Sequence, residues 1–157
     1  RGTEGKDNRQ GPKKMIKVVL DTNVVVSAYL VPTGKPAEIL SLARKGKLHI
    51  FLSQEILDEV KQTLLSPKLR KIHKNTTEQI SLFVRAFSKV ATVTPGTKLV
   101  DFIKDDPDDN KILACALEGR VDYIVSGDHH LTDLKSFQSI SIVNPHMFLQ
   151  VMRGRFS

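Results

Sequence analysis

Short apolar runs that stop at polar turn residues, each followed by a helical spacing of apolar positions, restrict this chain to very few folds. The run from Lys17 to Leu20 ends at Asp21-Thr22-Asn23, and Val24 to Leu30 is apolar again. Unbroken hydrophobicity over a few residues fits a strand covered on both faces, as in parallel sheets, better than a strand with one wet face. Leu48 to Leu52, Val90 to Val93, Asp122 to Val125 and Ile140 to Val143 read as four more strands. Helices are predicted between them. Pro36 at N1 opens one that carries Ile39, Leu40 and Ala43 on a single face, with Gly46 as its stop. Ser53 is placed to cap a helix over Gln54–Leu65. Pro67 starts a short basic helix, PKLRKIHK, and Thr76 or Thr77 caps another that runs to about Lys89. Pro107 sits at N1 before a helix from Asp109 to Leu117, closed by Gly119, and Pro145 leads a terminal helix through Met152. Leu99 to Ile103 is ambiguous. Strands alternating with helices predict an α/β protein, a mostly parallel sheet with helices on both faces. Ligands of such sheets sit beyond the carboxyl ends of the strands. Asp21 and Asp128 both follow a predicted strand, so both are expected at that rim.

A chain of 157 residues, 40% hydrophobic and 26% charged, can close one core without staples. The expected organisation is a single domain over 15–152 and a tail over 153–157. The opening RGTEGKDNRQGPKK is polar and aperiodic, expected to be a disordered leader or expression remnant, with Met15 as the natural start. It holds five basic and two acidic residues and so carries +3 of the +7 net charge. The mild remainder permits a nucleic-acid partner without demanding one. The single cysteine, Cys115, excludes an internal disulfide and fits a reducing cytoplasm. It lies in a helical apolar pattern, where a buried, inert thiol is expected. No apolar run reaches the roughly 18 residues of a membrane span, and no secretory signal pattern opens the sequence.

The stretch DDPDDNKILACALEGRVDYIVSGDHHL, residues 105–131, is dense in Asp although the chain is basic. Crowded carboxylates raise one another's pKa and destabilise the compact state. Helix capping can use one or two of them; a bound cation can use several. At about 100° per residue, Asp109 falls in the middle of the arc shared by Ile112, Leu113, Ala116 and Leu117. A helix-start acid has no need to point at the sheet, whereas Asp106 as cap and Asp108 on the flank suit that role. On the helix 54–65, Glu59 lies at the border of the face formed by Ile56, Leu57, Val60 and Leu64, with Asp58 and Gln62 opposite. It reads either as a surface acid beside Lys61 or Thr63, or as one reaching over the sheet rim. Asp21 and Asp128 each read as turn-forming or as ligands. Separate arguments bring these four to one end of one sheet, where they cannot all stay ionised without a cation. Mg²⁺ or Mn²⁺, which take oxygen ligands, are the natural occupants. His129-His130 lacks zinc-site spacing, and no phosphate-cradling glycine loop is present.

These residues resemble the PIN-domain family. The matching stretches are VVLDTNVVVSA (18–28), LSQEILDEV (52–60), DPDDNKILACAL (106–117) and DYIVSGDHHL (122–131), in the family's order and spacing. The resemblance runs from Met15 to about Met152 and is to the prokaryotic branch that supplies the toxin of toxin–antitoxin pairs. It implies a three-layer α/β/α sandwich, RNA cleavage dependent on Mg²⁺ or Mn²⁺, frequent homodimers and often a small antitoxin partner. It puts the acidic quartet on Asp21, Glu59, Asp109 and Asp128, as catalytic and metal-binding residues, with Asn23 and Ser126 in support. His129-His130 stands where Lys-Asp is frequent in the family, which changes the charge beside the site.

The expected function is a cytoplasmic, metal-dependent endoribonuclease, the toxin of such a pair. The alternative is a catalytically idle PIN-fold module that binds RNA or protein, against which stands the cost of keeping four repelling acids. Phosphate contacts are assigned to Lys68, Arg70, Lys71, His73 and Lys74, although a merely solvated helix face reads equally well there. Lys35, Arg44, Lys45 and Lys47 are weaker candidates. A phospho-acceptor receiver domain is rejected, because Val90 to Val93 leads into Thr94-Pro95-Gly96 with no Asp to phosphorylate.

Overall fold

The computed structural model describes residues 15–97 and 107–156. The expectations for residues 1–14, Leu99 to Ile103, Asp105 and Asp106 lie outside the described residues, as does the Asp108 side chain. In chain order the elements are β1 (Ile16–Leu20), α1 (Thr22–Leu30), α2 (Lys35–Arg44), β2 (Leu48–Ser53), α3 (Gln54–Leu65), α4 (Pro67–His73) and α5 (Thr77–Val90). They continue with β3 (Thr92–Thr94), α6 (Pro107–Gly119), β4 (Tyr123–Val125), α7 (His129–Thr132), β5 (Ser136–Phe137), β6 (Ile140–Val143) and α8 (Pro145–Phe156).

The strands form one sheet in the order β3-β2-β1-β4-β6-β5. All neighbours are parallel except β5 and β6, so the mostly parallel α/β sandwich expected above is what the chain adopts. β1 is the hub, paired with β2 from Ile16↔Leu48 to Val19↔Phe51 and with β4 from Val18↔Tyr123 to Leu20↔Val125. Its Val18, Val19 and Leu20 are fully buried, as a strand covered on both faces requires. On β2, successive residues separate the two outer layers. Ile50 faces a small apolar cavity with Leu40, Phe83 and Phe87 of α2 and α5. Phe51 faces α6 so closely that a Cβ on Gly119 would come within 3.0 Å of its ring. A larger residue at that crossing would require the Phe51 and Val121 side chains to give way. α6 itself lies across β1, β2, β3 and β4.

Local chemistry sets the ends. The Ser53 hydroxyl accepts the Ile56 amide at 3.2 Å and starts α3 at the expected residue. Thr76 and Gln79 complete a capping box that starts α5. Gly46 ends the α2 turn with φ +74°, the left-handed region that favours glycine. Three boundaries differ from expectation. Pro36 occupies the second position of α2, since Gly34 is the cap and Lys35 the first residue. Val90 completes α5, so the third strand is Thr92–Thr94. α8 continues past Met152 to Phe156, where Arg153 and Arg155 complement the negative end of the helix. Three elements were not foreseen: α1, read only as an apolar run over Val24 to Leu30; α7; and the two-residue β5 paired antiparallel with β6. Among the described residues, no helix is long and apolar enough to cross a membrane.

Candidate metal centre and active site

β1 delivers Asp21 to the carboxyl rim, where its amide donates to Val125 O of β4 at 2.9 Å. Asp21 is the N-cap residue of α1, and its carbonyl accepts the Val24 amide, but its side chain makes no capping bond. Asp21 thus takes part in the turn into α1 through its backbone, which does not use its carboxylate as a helix cap. Its carboxylate is 8% exposed and turns to Ser126, whose Oγ donates to Oδ2 at 2.7 Å. Burial chiefly pushes this carboxyl above its ordinary value; the Ser126 hydroxyl and the Thr22 amide oppose the shift, and nearby Asp128 and Glu59 add to it.

Ser126 is completely buried at the end of β4, where Val143 O of β6 accepts its amide. Besides donating to Asp21, its Oγ accepts the Asp128 amide at 2.9 Å. One hydroxyl thus sets the spacing between two of the expected ligands. Asp128 keeps half of its turn chemistry: it is the N-cap of α7, and Oδ1 accepts the His130 amide at 2.9 Å. Glu59 comes from α3 and is half-buried rather than a surface acid beside Lys61 or Thr63; its Oε1 accepts the Thr22 hydroxyl at 2.6 Å. Asp21, Glu59 and Asp128 each have one oxygen held by a donor of the protein, which orients the other.

Asp109 lies in the first turn of α6 and is 4% exposed, in keeping with its phase on the apolar face. The side chain has interactions with its surroundings, yet among the described residues its Oδ2 is buried with no hydrogen-bond donor on it. Asp109, Asp128 and His130 bring ligand atoms to within 4.8 Å of one another. Asp21 and Glu59 lie outside that set; Asp21 is tied to Asp128 through Ser126, and its carboxyl feels the charge of Asp128 and Glu59. An oxygen-rich set of acids, two of them buried, is the donor chemistry that a hard divalent ion requires, so the residues present fit such an ion.

In the sequence His129-His130 is set aside for want of zinc-site spacing, yet His130 is the residue that joins Asp109 and Asp128. Its position two residues after a turn Asp, whose carboxylate accepts its amide, was the signal available. Asn23 is exposed in the first turn of α1. Lys68, Arg70, Lys71 and Lys74 are exposed on or just after α4. His73 does not belong with them: its Nδ1 accepts the Asn75 amide at 2.9 Å, so Nε2 carries the proton and donates to Leu64 O at 2.8 Å. Through these bonds the ring pins α4 to α3. Cys115 is buried as expected, with its thiol pushed up to about 11 by desolvation.

Comparison with known proteins agrees with this architecture. A family model described as PIN domain matches residues 17–130, from β1 through the first residues of α7. An uncharacterized protein of the archaeon Methanocaldococcus jannaschii is 37% identical over 136 residues, covering 86% of each chain. The chain belongs to the PIN-domain family, whose fold is nuclease-like.

Proposed function

We propose that this protein is an endoribonuclease dependent on Mg²⁺ or Mn²⁺, which hydrolyses RNA phosphodiester bonds as the toxin of a toxin–antitoxin pair. The observation that carries the hydrolase reading is Asp21: buried, turned away from the capping role open to it, and destabilised as an anion among other acids. A scaffold gains nothing from that arrangement, whereas a cation site depends on it.

In this reading Asp21 and Asp109 are the principal ligands, with Glu59 and Asp128 completing the set or aligning the attacking water. With a divalent ion bound, these residues would hold a source of water of lowered pKa and of positive charge to offset that of the phosphate. The remaining tasks fall to the chain. Ser126 and Thr22 hold Asp21 and Glu59 in fixed orientations, so the site is formed before substrate arrives. Asn23, exposed beside Asp21, is in reach of a substrate at the rim. Lys68, Arg70, Lys71 and Lys74 supply sequence-independent phosphate contacts. The working assembly is a cytoplasmic homodimer held in check by a small antitoxin protein.

Purified protein is expected to cleave RNA with Mg²⁺ or Mn²⁺, to stop with EDTA, and to lose activity in Asp109→Asn. RNA cleavage indifferent to both metal and substitution refutes the enzyme reading. Replacing Lys68, Arg70, Lys71 and Lys74 with Gln should weaken RNA binding and flatten its salt dependence by up to about one unit of slope for each true phosphate contact. Co-purification with the product of an adjacent small gene tests the antitoxin.

A further inference from the structure

We propose that His130 is a ligand of the ion held by Asp109 and Asp128, and that its imidazole makes the site favour Mn²⁺ and other first-row transition ions over Mg²⁺. The inference rests on the metal-dependent reading above and adds to it a nitrogen donor that no carboxylate quartet contains.

The geometry comes from α7. Asp128 caps this helix, and its Oδ1 accepts the His130 amide at 2.9 Å. The bond anchors the His130 backbone to the very carboxylate that faces the centre. The imidazole then brings a ring nitrogen within 4.8 Å of ligand oxygens on both Asp128 and Asp109. Around a six-coordinate ion with bonds of about 2.1 Å, neighbouring ligands stand about 3 Å apart and opposite ones about 4.2 Å. Closing the observed spacing onto an ion needs only a small change in side-chain torsion. His130 is exposed, so its ring can make that change without repacking the core. His129 is exposed as well, but as the preceding residue on the helix it projects about 100° away.

The chemistry follows from charge and softness. A further carboxylate would add like charge beside Asp21, Glu59 and Asp128, whereas an imidazole nitrogen adds a donor without negative charge. Imidazole nitrogen is a favoured ligand of first-row transition ions. Mg²⁺, hard and reluctant to shed water, gains little from it. Loss of His130 should therefore separate the two metals instead of weakening both.

The test is isothermal titration of metal-stripped full-length protein with Mn²⁺ and with Mg²⁺, beside pulsed EPR of the Mn²⁺ form. Wild type, His130→Asn, His129→Asn and Asp109→Asn are compared, with circular dichroism to check folding. His130→Asn should weaken Mn²⁺ binding by at least the roughly tenfold that loss of an outer-shell partner costs, and change Mg²⁺ binding much less. Nitrogen hyperfine modulation should appear in wild type and His129→Asn and vanish in His130→Asn. If Mn²⁺ binds and Asp109→Asn abolishes that binding, while His130→Asn retains full affinity or wild type shows no nitrogen coupling, His130 is not a ligand and the carboxylate site stands alone. If wild type binds neither ion, the metal-dependent reading falls, and this inference with it.

Discussion

Asp21 and Asp122 occupy opposite rims of the same two central strands, and their surroundings differ as much as the fold allows. Asp122 stands just before β4 and is exposed; its Oδ2 accepts the Lys17 amide at 2.9 Å. It shares an open cleft with Lys17, Arg120 and Arg155, which supply opposite charge. Asp21 stands just after β1, buried, with Asp128 and Glu59 adding charge of its own sign. Both aspartates hold neighbouring strands together through their backbone amides, and Asp122 through its side chain as well. The contrast teaches that an Asp at a strand end is structural where counter-charge and solvent surround it. It becomes a candidate ligand where desolvation and like charge leave its anion in need of a cation.

The contrast can be broken most directly by exchanging the damage. Asp109→Asn at the carboxyl rim should lower RNA cleavage by roughly 100-fold or more, the scale of losing one electrostatic stabiliser at a reacting group, and abolish the rise in melting temperature on adding Mn²⁺. Asp122→Asn at the opposite rim should leave kcat unchanged and cost about 1 kcal/mol or less in chemical denaturation, as one exposed hydrogen bond is weakened. Equal losses in the two variants would erase the distinction. Next in size, Ser126→Ala removes the hydroxyl that holds Asp21 and the Asp128 amide, and should weaken metal affinity about 10- to 100-fold in calorimetry. Thr22→Val, which releases only Glu59, should cost about tenfold or less by the same measurement.

The smallest effect sharpens the electrostatic half of the comparison. Burial raises the Asp21 carboxyl above 3.8, so the folded chain holds that proton more tightly than the unfolded chain does. The contribution of this group to metal-free stability is therefore greatest below 3.8, falls as pH rises through the raised folded value, and stays low above it. In EDTA at neutral pH, Asp21→Asn should melt a few degrees higher than wild type, and the gain should disappear in acid. Melting curves that rank the two proteins alike at both pH values would show that the buried anion costs nothing.

Most of the scaffold was legible because its boundaries use strong local chemistry. Ser53, Thr76, Pro67 and Gly46 each mark an end that the fold respects. Helical phase alone placed Asp109 against the core. The β5–β6 hairpin was invisible for a definite reason. Its turn residues, Gln138 and Ser139, take φ of 45° and 71°, positions where Asn-Gly or Asp-Gly would announce the turn. Two residues of strand are also too few to show alternation. Within the site, the convergence of the acids could be argued from strand ends, but the donors that hold them could not. The bonds from Thr22 to Glu59 and from Ser126 to Asp21 join residues 37 and 105 positions apart. His130 was missed because its approach to Asp109 depends on how α7 docks, which no periodicity records.

That longest bond carries a consequence for how the protein comes into being. The Ser126 hydroxyl can hold Asp21 only after β4 has paired with β1, a loop closure across most of the chain and among the slower events in folding. During synthesis, Asp21 and Glu59 emerge early, while Asp128 and His130 leave the ribosome near the end. A nascent or truncated chain therefore holds half of the candidate acids and lacks the hydroxyl that orients Asp21. If the proposed function holds, the site is completed late, by the most distant contact within it.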